Sequence, residues 1–138
     1  MPTYPNSTPV ASLGSGRPIQ FIIQNNAATA LPNPADQQAR GLDAATVSQY
    51  KFSGSKLSGL VGDDVVKFYQ DQAVAAGYKV ESVTDLVKDT GSGNKMRWIY
   101  LSKETDHVGI LVVDSADAET GSTFGLNSNE TGIYFCTT

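Results

Sequence analysis

Residues that carry acid–base or nucleophilic chemistry are scarce in this sequence. His107 is the only histidine and Cys136 the only cysteine among 138 residues. Histidine titrates near neutral pH and is the commonest general base, so His107, which follows Asp106, is the candidate base for a small hydrolase or isomerase, with Asp114 as the alternative. A Ser-His-Asp set can be chosen from many serines and aspartates, but no G-x-S-x-G nucleophile elbow is present. We therefore assign no catalytic residue.

Cys136 has no second cysteine in the chain with which to form an intramolecular disulfide. The sequence predicts that it is a small buried residue of a last strand. A nucleophilic thiol would need a nearby base, for which only His107 is available. An intermolecular disulfide is the third interpretation.

Three acidic residues, Asp114, Asp117 and Glu119, lie close together in a polar segment. Carboxylate oxygens are ligands that hard cations prefer, but the spacing does not match the D-x-D-x-D-G calcium loop. We expect a solvated acidic loop, with weak cation binding as the alternative and no dedicated metal site. Neither glycine-rich segment, 14–16 or 91–93, has the Lys-Ser/Thr of a phosphate loop, so no cofactor is expected.

A candidate binding surface lies on a predicted strand over residues 95–101. Side chains alternate between the two faces of a strand, so Met96, Trp98 and Tyr100 share one face and Ile99 and Leu101 share the other. If the aliphatic face packs on a helix, the face with Met96, Trp98 and Tyr100 is the one left for a partner.

A helix is predicted over residues 64–76. Its apolar residues recur at helical spacing, Asp63 or Asp64 is suited to cap its N-terminus, and Gly77 supplies a left-handed stop. Alternating apolar residues predict strands elsewhere, at 18–24, 48–53, 78–83, 95–101, 107–113 and 132–136. Residues 25–47 are expected to be a loop, with a short helical turn after Pro34.

This order of elements predicts an α+β fold, with one main amphipathic helix packed on a mainly antiparallel sheet of five or six strands. Residues 1–17 are rich in Pro, Gly and Ser and are expected to form a leader or linker, whereas 18–138 form a single domain. One helix cannot cover both faces of such a sheet. We therefore expect the second face to be solvated, covered by the 25–47 segment, or used by a partner.

Composition narrows the classes of partner. The net charge is −4, and no Lys/Arg cluster offsets it locally, so we expect no nucleic-acid binding. The longest wholly apolar runs have four residues, such as 110–113, whereas a membrane-spanning helix needs about 20. Only 17% of the residues are charged, and a surface rich in uncharged polar residues favours an extracytoplasmic location, with a cytoplasmic one as the alternative.

The segment 4–10, Tyr-Pro-Asn-Ser-Thr-Pro-Val, resembles the Tyr-Pro opening of many uncharacterised bacterial exported domains, which are often lipid-anchored. The helix with Val-Val-Lys-Phe-Tyr at 65–69, ending in Gly77-Tyr78, is similar to theirs. The resemblance covers about a fifth of the chain. It implies an extracytoplasmic α+β domain and brings no catalytic residues.

Three functions follow as hypotheses. The first is a non-enzymatic extracytoplasmic binding or interaction domain for an unknown protein or small ligand, which uses Met96, Trp98 and Tyr100 or the 25–47 segment. The second is a structural subunit that assembles with copies of itself through an edge strand or its N-terminal segment. The third is a small hydrolase or isomerase that uses His107.

Overall fold

A computed structural model describes residues 1–10 and 16–138 of the chain. It confirms the α+β class and the antiparallel sheet, which has six strands in the order β1-β2-β6-β5-β4-β3. In chain order the elements are β1 Thr8–Pro9, α1 Arg17–Ala30, α2 Pro34–Ala39, α3 Ala44–Val47, β2 Lys51–Ser58, α4 Gly62–Ala75, β3 Lys79–Val87, β4 Lys95–Lys103, β5 Asp106–Ser115, α5 Ala118–Gly121, a 3₁₀ turn Ser122–Phe124 and β6 Glu130–Thr137.

The strand predicted at residues 18–24 is wrong, because this segment begins the long helix α1. Ile19 and Ile23 satisfy both a strand alternation and the i, i+4 spacing of a helix, and Ala27 extends the helical series. All three are buried, whereas Phe21, which only the strand pattern would bury, is 64% exposed. Pro18 fits the first turn of a helix, where no backbone N–H is needed.

The second face of the sheet is covered by the 25–47 segment, which is one of the three expected alternatives, and also by α1. Leu42 and Val47 belong to the same apolar core as Ile19 and Ile23. α1 buries its apolar stripe on the face that carries Trp98, Leu111 and Tyr134. The helix predicted at 64–76 is α4, which packs through Val65, Tyr69 and Ala73 on the opposite face. The sheet therefore lies between two helical layers, each of which holds its own apolar core.

α4 ends as predicted, because Gly77 adopts a φ of 84°, but its N-terminus is capped differently. Neither Asp63 nor Asp64 caps the helix. The carboxylate of Asp114, at the end of β5, accepts a 3.0 Å hydrogen bond from the backbone N–H of Gly62 instead. A helix cap that is supplied by a residue of another element cannot be predicted from the residues next to the helix N-terminus.

Part of the predicted leader packs on the sheet and on α4. Thr8 and Pro9 pair with Lys56 and Ser55 of β2. Tyr4 meets the ring of Phe68 edge-on, with 5.0 Å between ring centroids. Residues 11–15 of that leader lie outside the described residues, and the boundary at residue 17 stays a prediction.

Candidate functional site

The aromatic surface predicted from β4 is not available for contact. Met96 is 5% exposed, Trp98 is fully buried, and Tyr100 is half-buried. Met96 and Trp98 therefore do not form a binding surface. The Asn26 amide of α1, whose residues 18–24 were predicted as a strand, lies 3.9 Å from the Met96 sulfur, and the Trp98 indole nitrogen is bonded to the Arg40 carbonyl oxygen.

The acidic residues after β5 do not converge. Asp114 is buried in the sheet, whereas Asp117 accepts a 2.6 Å hydrogen bond from the Thr120 backbone N–H and a 3.1 Å bond from the Asn94 amide. These bonds lower the pKa of Asp117, with the Thr120 amide the largest cause. Glu119 is exposed. Within residues 1–10 and 16–138 no group of three His, Cys, Asp or Glu side chains is placed to hold a metal ion, so the three acidic residues do not assemble the ligand set that the alternative of weak cation binding would need.

Asp114 belongs to a buried polar cluster with Arg97 of β4. The two side chains are 6% and 8% exposed, and the Arg97 guanidinium lies 3.5 Å from the Asp114 carboxylate. Thr131 of β6 donates a 2.7 Å hydrogen bond to the same carboxylate. A Cβ added to Gly62 would collide with the guanidinium, so only glycine lets the start of α4 approach this cluster.

Asp63 is the member of this cluster that lies at the protein surface. Its carboxylate accepts hydrogen bonds from Arg97 and, at 3.3 Å, from Lys95. The Arg97 bond is the main reason that the pKa of Asp63 lies below its ordinary value. The cluster therefore joins the N-terminus of α4 to the sheet, and its carboxylates are occupied by these partners.

His107 is exposed at the start of β5 and stacks on Tyr100, with 5.6 Å between ring centroids. Ser102 pairs with His107 across the β4–β5 hairpin, but its hydroxyl donates a 2.5 Å hydrogen bond to Glu81. That bond is the largest cause that lowers the pKa of Glu81. Among the described residues no Ser-His-Asp relay is formed around His107.

Cys136 is fully buried in β6, as the sequence predicts. Burial raises the pKa of its thiol well above the ordinary value, which disfavours the thiolate. This environment is that of a structural cysteine.

The edge of the sheet at β3 presents a different kind of surface. β3 ends the strand order, so of the described residues only β4 pairs with it, and its outer edge has no strand partner. A groove of about 610 Å³ opens beside its second half, lined by Thr29, Ala30, Arg40, Val83, Thr84, Asp85, Leu86 and Lys88. An unpaired edge beside an open groove is a geometry that accepts an extended chain.

The Arg40 wall of this groove is anchored to the core. The Trp98 indole nitrogen donates a 2.8 Å hydrogen bond to the Arg40 carbonyl oxygen. The Tyr50 hydroxyl donates a 2.7 Å bond to the carbonyl of Gly41, which has a φ of 65°. A Cβ on Gly41 would lie 2.6 Å from the ring of Tyr100, so the turn fits closely over these aromatic residues.

Two cations that have no partner among the described residues line the groove. Most of the Lys and Arg side chains are held by ion pairs or hydrogen bonds, such as Lys79 with Glu81 and Lys103 with the Ala76 carbonyl. In the described part of the chain, the side chains of Arg40, Lys51 and Lys88 form no such contact. Arg40 and Lys88 line the groove, whereas Lys51 lies on β2, away from β3 in the strand order.

Comparisons of the chain with protein-family models, with curated proteins and with solved structures find no match. The resemblance to bacterial exported domains therefore stays a prediction. No residue of the β3 edge acquires a role from a relative.

Sequence reasoning located the strand at 78–83 but did not identify it as an edge. The usable signal is its charge pattern, since Lys79, Glu81 and Asp85 recur every second or fourth residue and charged side chains are typical of edge strands. Arg40 had no comparable signal, because its place beside β3 depends on how residues 31–50 pack.

Proposed function

We propose that this protein is a non-enzymatic interaction domain that receives an extended segment of a partner polypeptide on the outer edge of β3. The observation that carries this proposal is the nine-residue outer edge of β3 beside the groove, which no strand in the described part of the chain pairs with. Strand addition satisfies backbone N–H and C=O groups that a sheet edge leaves to water. Each such hydrogen bond contributes a net stability of about 0.5–1.5 kcal/mol.

The edge also limits which segments bind. The pairing of β3 with β4 shifts register between Val80 and Ser82 and again between Asp85 and Val87. Bulges of this kind and charged side chains discourage indiscriminate pairing of edge strands. The regular stretch at residues 82–85 is therefore where a partner strand would dock, with the 40% exposed Val83 near its middle.

Photocrosslinking in cells that express the protein tests this function. A photoreactive amino acid at Val83 is expected to crosslink a partner chain, whereas one at Val74, which is 69% exposed on α4, is the matched control. Mapping the crosslinked peptide by mass spectrometry identifies the docked segment. Crosslinks from Val74 but none from Val83 would contradict the proposal.

We also propose an extracytoplasmic location, which rests on the low charged fraction of 17% and on the resemblance at 4–10 and 65–78. Each helix within residues 1–10 and 16–138 is too short or too polar to span a lipid bilayer. Cell fractionation of the full-length gene product tests the location. Recovery with a cytoplasmic marker enzyme would overturn it.

Self-assembly is the second candidate, and the N-terminal segment favours it. Residues 1–10 dock through the two residue pairs of β1, the contact of Tyr4 with Phe68, and a 2.9 Å hydrogen bond from the Tyr69 hydroxyl to the Pro2 carbonyl. A terminal segment that adds a strand to its own sheet can add the same strand to the sheet of a second copy. Sedimentation over a range of concentrations tests this, and a monomer at every concentration would exclude it.

A further inference from the structure

We infer that the segment received by β3 is acidic, and that Arg40 and Lys88 recognise its carboxylates. This inference rests on the proposed function, since it names the chemistry of the chain that the same edge would bind. Both cations line the groove and neither has a side-chain partner within the described residues.

The distribution of charge supports this assignment. The protein carries a net charge of −4, so its basic side chains have many acidic groups with which to pair. Of the three basic side chains left without a partner in the described ranges, two line one groove. Asp85 is the acidic residue of that groove, which leaves the three charges with a net positive sum. A ligand carboxylate would supply the pairing that residues 1–10 and 16–138 do not.

The protein positions Arg40 and Lys88 differently. The Arg40 backbone is fixed by the hydrogen bond from Trp98 and the residue is half-buried, so its side chain starts from a fixed point in the groove wall. Lys88 follows β3 directly and is exposed. We therefore expect Arg40 to select a carboxylate at one position and Lys88 to add a less specific attraction.

Arg40 and Lys88 lie beside the position that a strand added to β3 would take. Thr84 faces the same side of the sheet as Trp98, to which it is paired, and Leu86 belongs to the apolar core on that side. Alternate side chains of an added strand would point to this face, toward Arg40 and the end of α1. The ligand is thus an extended segment with Asp or Glu at alternating positions.

Selection from a phage-displayed library of random peptides tests this inference, because the selection needs no identified partner. Peptides of about ten residues suffice, since strands in proteins rarely exceed that length. We expect the selected peptides to be enriched in Asp and Glu and to protect β3 amides from hydrogen exchange. Arg40→Gln and Lys88→Gln are each expected to weaken binding about tenfold, whereas Lys51→Gln leaves it unchanged.

The outcomes separate this inference from the proposed function. Peptides that protect β3 without enrichment in acidic residues, and that bind Arg40→Gln and Lys88→Gln normally, overturn the inference and leave the function in place. A library from which no peptide protects β3 overturns both. Protection of β3 that rises with the concentration of the protein alone would identify a second copy as the occupant and overturn the acidic ligand. Thermal unfolding of each variant checks that the fold is intact.

Discussion

The indole nitrogen of Trp98 and the carbonyl oxygen of Arg40 are joined by a 2.8 Å hydrogen bond that links the middle of β4 to a wall of the groove beside β3. Trp98 thus supports the candidate site from within the core and does not touch the solvent. Gly109 makes this possible, because a Cβ there would collide with the far edge of the indole ring.

Trp98 and Gly109 are therefore expected to be strongly coupled. Trp98→Phe removes the bond to Arg40 and part of the ring, which costs about 2–4 kcal/mol of unfolding free energy. Gly109→Ala overpacks the ring and costs about 1–3 kcal/mol. In the double variant the added methyl group fills space that phenylalanine leaves. The double variant should therefore lose less unfolding free energy than the sum of the two single-variant losses. Denaturant unfolding measures all four proteins, and strict additivity would show that the two positions do not share this space.

The carboxylates that contact Arg97 are expected to differ in importance. Asp114→Asn leaves the buried guanidinium without its buried counter-charge and is expected to cost about 3–5 kcal/mol. Asp63→Asn is the matched control, because the Asp63 side chain is 76% exposed and such ion pairs contribute about 0–1 kcal/mol. Equal losses of unfolding free energy in the two variants would contradict the buried cluster as the anchor of α4.

Acid is expected to weaken the fold through carboxylates whose pKa is lowered. Arg97 lowers the pKa of Asp63 and the Thr120 amide lowers that of Asp117, both below their ordinary 3.8. Their stabilisation is complete above that value and is lost as the pH falls through the lower pKa of the folded state. Carbon-13 NMR titration of the side-chain carboxyls measures both. Lys95→Gln should raise the pKa of Asp63 and leave that of Asp117 unchanged.

Cys136 should react with thiol reagents only when the protein unfolds, because it is fully buried and its thiol pKa is raised. Labelling with a chromogenic disulfide is expected to be slow in buffer and fast in denaturant. A Val74→Cys variant provides the comparison, since that position is 69% exposed and a cysteine there should react at once. Rapid labelling of wild-type protein in buffer would mean that β6 opens readily.

The local pattern of residues was sufficient to predict those helices and strands whose own residues mark their ends and their apolar faces. α4 carries acidic residues at its start, an apolar stripe and a glycine stop, and the prediction at 64–76 agrees with Gly62–Ala75. The hairpin of β4 and β5 follows from two alternating runs joined by a short turn. These features suffice for the α+β class, since alternation and helical spacing depend on neighbours in the chain.

α1 shows where local pattern is ambiguous. Ile19 and Ile23 fit a strand and a helix equally well, and the choice depends on which partners bury them. In the folded protein they contact the core beside Trp98, so Met96 and Trp98 lose the exposure expected of them.

Spacing within a few neighbouring residues was enough to establish the fold class, α4 and most of the sheet strands. Three further relationships became visible only in the folded chain: Asp114 caps α4, α1 shares a core with Trp98, and β3 is an edge beside Arg40. Each of them joins residues far apart in the chain. They depend on how the helical layers pack on the sheet, and the spacing of neighbouring residues in the sequence does not predict that packing.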